Sequence, residues 1–170
     1  GAESIESLRA AIMTTAPVEL RRDPAEPSAA VEVPGTATGP LLGGNLTLLQ
    51  TRLGTADLPD LKGAILLFED VDEAPYSYDR MLTHLRRAGA LRRIAGVAIG
   101  QLTNAIGNPG QWDAAGAVRD RLADLGVPVL GGLRIGHGNG QLTVPLGATA
   151  TIDTAAGTLR VQPGVRAVTR

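Results

Sequence analysis

Three features of the sequence predict an α/β fold, with a short central parallel sheet, flanking helices and antiparallel strands at the carboxyl end. Two apolar runs, residues 64–69 and 94–99, lack the alternation of a strand with one wet face and read as strands covered on both sides. Segments 79–88 and 113–125 carry apolar residues at helical spacing, so strands and helices alternate from residue 64 to residue 130. After residue 140 the pattern changes to short alternating segments separated by turn residues.

At the amino end, Ile5, Leu8, Ala11 and Ile12 recur at helical spacing, which predicts a short amphipathic helix over 3–14. Val18-Glu19-Leu20 and Val31-Glu32-Val33 alternate apolar and polar and predict short strands, with a proline-bearing loop over 22–28 between them. Gly43-Gly44 supplies freedom for a close turn, and Asn45 is an N-cap candidate for a helix over 46–53. Ser77 or Asp79 starts the next helix, which Gly89 stops. Val118, Leu122 and Leu125 share a face of the helix over 113–125, which ends at Gly126, and 127–130 is a third strand. Residues 141–144, 148–153 and 158–161 predict antiparallel strands, with Ala155-Ala156-Gly157 turning between the last two. No internal repeat is present. The expected organisation is a linker helix and irregular arm over 1–39, followed by a domain over 40–170.

At 170 residues the chain can bury a substantial core, and with only 2% aromatic residues that core must be built from Val, Ile, Leu and Ala. A formal net charge of -1 and a pI near 6.1 leave no global basic field for nucleic acid or anionic lipid. The basic cluster Arg86, Arg87, Arg92 and Arg93 reads as the solvated face of a helix and its exit. Without cysteine there are no disulfides, thiolate metal sites or cysteine nucleophiles, and a reducing compartment is compatible. No apolar run approaches the roughly 20 residues needed to span a bilayer. The sequence opens at Gly1 rather than methionine, without a secretion signal, and is expected to be a processed or truncated piece of a longer polypeptide.

The chemistry concentrates at two places. Ile135-Gly136-His137-Gly138-Asn139-Gly140 puts a histidine in a glycine-dense turn, where both ring nitrogens are accessible to partners. Glu69 and Asp70 end the 64–69 run, at the strand edge where α/β sheets gather ligands. A carboxylate there could fix the tautomer of His137 and stabilise its imidazolium. Alternatively, carboxylates at 69, 70, 72 and 73 offer oxygen ligands to Mg²⁺ or Ca²⁺, although no calcium-loop pattern is present. Glycines 131, 132, 136, 138 and 140 could cradle a phosphate, but match neither a Walker nor a dinucleotide pattern. His84 falls among the apolar residues of a helix and reads as structural. Of the four serines, Ser4, Ser7, Ser28 and Ser77, none lies in a nucleophile elbow. A base and an orienting acid therefore have no nucleophile within the chain.

Several motifs resemble the LD-carboxypeptidase family of serine peptidases, which includes muramoyltetrapeptide carboxypeptidases and microcin C immunity proteins. They are Gly43-Gly44-Asn45-Leu46, the run Glu69-Asp70-x-x-Glu73-x-Pro75-Tyr76-x-x-Asp79-Arg80, Gly96-Val97, Gly100, Val127-Pro128-Val129, Gly136-His137 and Pro145-Leu146-Gly147. The resemblance covers residues 40–153. It implies a swivelling β/β/α-type domain, the carboxyl-terminal half of a protein whose Ser-Glu-His triad is split between domains. By matching motifs, Glu69 is the triad carboxylate and His137 the general base, with the serine in an amino-terminal domain that this chain lacks. The resemblance further implies a murein-derived peptide substrate, no metal or organic cofactor, a cytoplasmic homodimer of the complete protein, and an inactive isolated domain. Two other readings stay open: an immunity-type peptidase acting on a peptidyl-nucleotide antibiotic, and a phosphohistidine carrier built on a swivelling domain. A non-catalytic interaction domain would leave Glu69 and His137 apart.

Overall fold

Residues 1–105 and 112–167 are described by the computed structural model. In chain order they form α1 (Ala2–Met13), β1 (Val18–Arg21), a 3-10 turn (Pro27–Ala30), β2 (Glu32–Val33), β3 (Thr36–Asn45) and α2 (Leu46–Thr51). There follow β4 (Ile65–Val71), α3 (Pro75–Arg87), β5 (Gly96–Thr103), α4 (Ala114–Leu122), β6 (Val129–Leu130), β7 (Thr149–Asp153) and β8 (Thr158–Val161). The strands order as β1-β8-β7-β3-β4-β5-β6-β2. β3 to β6 run parallel to their neighbours at the centre, and antiparallel strands flank them on both sides. The α/β class, the parallel centre and the antiparallel carboxyl-terminal strands are those the sequence predicts.

Alternation along β4 divides the core in two. Leu66 and Phe68 join Tyr78, Met81, Leu82 and Leu85 of α3, and Val118 and Leu122 of α4, beneath the helical layer. Ile65 and Leu67 face the other way, against Leu20, Ile152, Leu159 and Val161 of the antiparallel strands. The layers are therefore helix, parallel sheet and folded-back antiparallel sheet. Burying each Leu, Ile or Phe contributes about 1.5–3 kcal/mol, and Phe68, Leu66 and Ile65 are each at most 1% exposed.

β3 joins the two sheets: Thr36–Pro40 pairs antiparallel with β7, and Leu41–Asn45 pairs parallel with β4. The expected close turn at Gly43-Gly44 is instead extended strand, near the carboxyl end of β3. Gly43 has φ +148°, and a Cβ on it would lie 1.7 Å from the Leu67 carbonyl oxygen, so the close approach of β3 to β4 requires glycine. Asn45 does cap α2, its side chain accepting from the Leu48 N–H at 3.2 Å.

Two other expectations are corrected. α3 begins at Pro75, whose fixed φ suits the first helical position, and Ser77 lies inside the first turn rather than capping it. Residues 141–144 do not form a strand: Leu142 and Val144 pack against the inner core as alternation implies, but the Leu142 and Thr143 N–H groups bond to the Arg134 carbonyl and to Ser7 Oγ. α1 forms as expected, and of its apolar stripe Ala11 is buried while Ile5, Leu8 and Ile12 are 67%, 47% and 54% exposed. Within the basic cluster, Arg87, Arg92 and Arg93 are exposed as expected. Arg86 instead makes a forked bond to Asp124 at 2.5 and 2.8 Å, tying α3 to the segment after α4. That pairing raises the Arg86 pKa and lowers that of Asp124. Among the described residues no helix is long and apolar enough to cross a membrane.

Candidate active site

Glu69 stands at the carboxyl end of β4, on the side that alternation assigns to the inner core. The β4–β5 register breaks there: Phe68 pairs with Ile99 but Asp70 pairs with Leu102, so Gly100 and Gln101 both oppose Glu69. Such a bulge bends the strand and re-aims its side chains. The segment after β6 then runs alongside β5, with Leu133 N–H bonded to the Ile99 carbonyl at 3.2 Å and Gln101 N–H to the Ile135 carbonyl at 2.8 Å. The next residues carry His137 over Glu69.

His137 Nδ1 lies 2.7 Å from Glu69 Oε2. The carboxylate is nearly enclosed, with its side chain 9% exposed, whereas the imidazole is 53% exposed. A hydrogen bond from Nδ1–H to an ionised carboxylate selects the tautomer whose Nε2 lone pair faces outward. The bond to Glu69, and then its charge, raise the His137 pKa above the usual histidine value; Asp70 and Asp72 add to the shift, and partial burial opposes it. The pair can thus take a proton at Nε2 and hold the resulting imidazolium.

The two glycines flanking His137 are there for proximity. Gly136 has φ +135°, and a Cβ on it would lie 2.7 Å from Glu69 Oε2; one on Gly138 would lie 2.5 Å from the Gln101 amide nitrogen. They back onto protein rather than opening as a phosphate cradle.

Of the four acidic residues, Glu69 bonds to His137, and the other three are taken up by other protein groups, Asp70 and Glu73 both beside Thr47. Asp70, 2% exposed, accepts from Asn45 Nδ2 at 2.6 Å, from Thr47 N–H and Oγ1 at 2.9 Å each, and from its neighbour Val71 N–H at 2.9 Å. It therefore anchors the start of α2. Asp72 accepts from Asn104 Nδ2 at 3.0 Å, and Glu73 Oε1 lies 3.3 Å from Thr47 Oγ1, whose one proton points to the nearer Asp70. Among the described residues no group of three His, Asp or Glu side chains could hold a metal ion. His84 is a surface residue, its Nδ1 2.7 Å from Gln50 Nε2.

None of the serines is hydrogen-bonded to His137 among the described residues. Ser28 is fully buried, donating to the Gly100 carbonyl at 2.7 Å and accepting from Gly132 N–H at 3.0 Å. Ser77 is 3% exposed, and Ser7 accepts from Thr143 N–H. Sequence reasoning missed Ser28 and Gln101 as parts of the scaffold beneath the histidine loop. Neither sits in a recognisable motif; only a polar residue at the end of an otherwise apolar strand could have flagged Gln101.

The family described as the LD-carboxypeptidase C-terminal domain matches residues 38–152, a span that contains both Glu69 and His137. This chain belongs to that family. A putative carboxypeptidase of Synechocystis sp. is 42% identical to this LD-carboxypeptidase domain over 127 residues, taking in 74% of this chain and 42% of that protein. A probable murein peptide carboxypeptidase of Bacillus subtilis is 38% identical over 135 residues, 78% of this chain and 42% of that protein. The chain thus spans less than half the length of these curated relatives. The muramoyltetrapeptide carboxypeptidase from Oxalobacter formigenes superposes with a TM-score of 0.80 at 28% identity, over 95% of this chain and 55% of that one. The microcin C7 self immunity protein shares the fold, with a TM-score of 0.67 at 24% identity over 77% of this chain and 39% of that one.

Proposed function

We propose that this chain is the acid-and-base half of a serine LD-carboxypeptidase that releases the terminal D-alanine of a murein tetrapeptide, with its nucleophilic serine in a preceding domain. The observation that carries this reading is the 2.7 Å contact between His137 Nδ1 and Glu69 Oε2 beneath a half-exposed ring. Family membership and the names of the relatives support the substrate class.

On this reading Glu69 stays ionised throughout, and His137 Nε2 takes the proton of the serine hydroxyl as its oxygen attacks the carbonyl of the L,D-peptide bond. The tetrahedral oxyanion is held by backbone N–H groups of the preceding domain. It collapses as Nε2–H protonates the departing D-amino acid, leaving an acyl-serine ester. Water then attacks the ester, gives one proton to Nε2, and that proton returns to the serine oxygen. Because the base must be neutral, activity falls as pH drops through the raised His137 pKa. The chain alone is inactive, and the working protein is a cytoplasmic homodimer.

The test incubates the complete protein with an L,D-tetrapeptide and measures D-alanine release, with an all-L peptide and this chain alone as controls. Release by the complete protein from the L,D-peptide only is expected. No release from it, or turnover by this chain alone, contradicts the proposal. Release from a peptidyl-nucleotide in place of the tetrapeptide would move the protein to the immunity-type class, and acid-labile phosphate on His137 would move it to the carriers.

A further inference from the structure

We propose that Gln101 is a positioning residue for His137, acting through the backbone of the glycine loop. The proposal rests on Glu69 and His137 being the working pair.

The β5 bulge is what brings Gln101 there. Val97, Ile99 and Leu102 all face the helical core, and the three-residue step from Ile99 to Leu102 reverses the alternation, turning Gln101 toward the layer that holds the histidine loop. Gln101 is 3% exposed. Oε1 accepts from Gly138 N–H at 3.0 Å, while Nε2 donates to the Asn139 carbonyl at 3.2 Å and to Glu26 Oε1 at 2.8 Å. Its own backbone N–H holds the Ile135 carbonyl. One residue therefore grips the loop immediately before and after Gly136-His137.

The chemistry demands an amide. One oxygen must accept from an N–H while the adjacent group donates to two oxygens, which neither a carboxylate nor an alkyl chain can do. The reverse orientation of the amide would set donor against donor and acceptor against two acceptors. The absent Cβ at Gly138 gives the amide its access, and Glu26, from the loop before β2, holds it from the far side. Of the charged groups facing His137, Glu69, Asp70 and Asp72 are untouched by changing Gln101.

Gln101→Met in this chain removes the three side-chain bonds at nearly constant volume. His137 and His84 are then followed by NMR titration, and Gly138 N–H by hydrogen exchange. We expect the His137 pKa to fall toward the ordinary histidine value as its bond to Glu69 loosens, Gly138 exchange to accelerate about tenfold, and His84 to titrate unchanged. A folded Gln101→Met chain that keeps both the raised His137 pKa and native Gly138 protection overturns the proposal. Should Gln101→Met not fold, Gln101→Asn keeps the amide but withdraws it by roughly 1.5 Å; it must show the same two changes, and their absence is equally fatal. In the complete protein, Gln101→Met is expected to lower kcat about tenfold with KM unchanged. If that protein cleaves no L,D-peptide while the His137 titration still moves, the functional reading fails and the positioning role stands.

Discussion

Replacing Gly136 with alanine strikes the candidate site at its tightest point. The new Cβ would sit 2.7 Å from Glu69 Oε2, 0.7 Å inside the 3.4 Å of an ordinary contact, and 3.1 Å from both Cβ and Cγ of the same residue. Oε2 is also the atom bonded to His137, and a 2.7 Å bond is weakened once it passes about 3.2 Å. Relieving the clash therefore works against that bond. The backbone at φ +135° costs an alanine about 1–3 kcal/mol. Losing the bond adds at most about 1 kcal/mol, because the half-exposed ring is screened by water. Urea unfolding of Gly136→Ala should show that loss of stability, and NMR should show His137 titrating nearer its ordinary value. Gly126→Ala is the control: φ is +71° and nothing lies within 4 Å of the added Cβ, so backbone strain appears without a change at His137. A Gly136→Ala chain as stable as the parent, with the raised His137 pKa intact, would refute the close-approach argument.

Other substitutions separate the site from its scaffold. Glu69→Gln should lower the His137 pKa; since the native value is raised, the pair stabilises fully below about pH 6.5 and loses that contribution as pH rises through the native pKa. Unfolding midpoints measured between pH 5 and 9 should carry this dependence in the parent and lose it in Glu69→Gln. Asp70→Ala strips acceptors from the start of α2 and should cost about 2–4 kcal/mol in urea unfolding, while His137 keeps most of its shift because Glu69 dominates it. Gly43→Ala places a Cβ 1.7 Å from a backbone oxygen and should cost more than about 4 kcal/mol, whereas Gly44→Ala meets nothing within 4 Å and should cost only the strain of its φ, about 1–3 kcal/mol. Equal losses from the two glycines would remove the argument for β3.

The legible parts of the fold were those where one segment carries its own signal. β4 is a continuous apolar run, α4 carries Val118 and Leu122 on one face although it ends at Leu122 rather than at the expected Gly126, and the acidic strand end and glycine-set histidine marked both members of the pair. β3 was not legible because Gly39, Pro40, Gly43 and Gly44 interrupt it. Their use lies in changing sheets and in approaching Leu67, which depends on residues far along the chain. Residues 141–144 have the alternation of a strand without a ladder partner, and periodicity reports which face is buried, not what bonds the backbone. For α1 the helical spacing was legible, but spacing alone does not say what covers the stripe. Gln101 became important through a bulge, a break in register that no local pattern announces.

The most direct test measures D-alanine release by the complete protein carrying His137→Ala, Glu69→Gln, or both. Groups acting as one unit lose activity once: His137→Ala should lower kcat by about 10²–10⁴-fold, and adding Glu69→Gln should lower it no further. Normal turnover by His137→Ala, or losses that multiply in the double variant, would contradict a shared role for the two side chains.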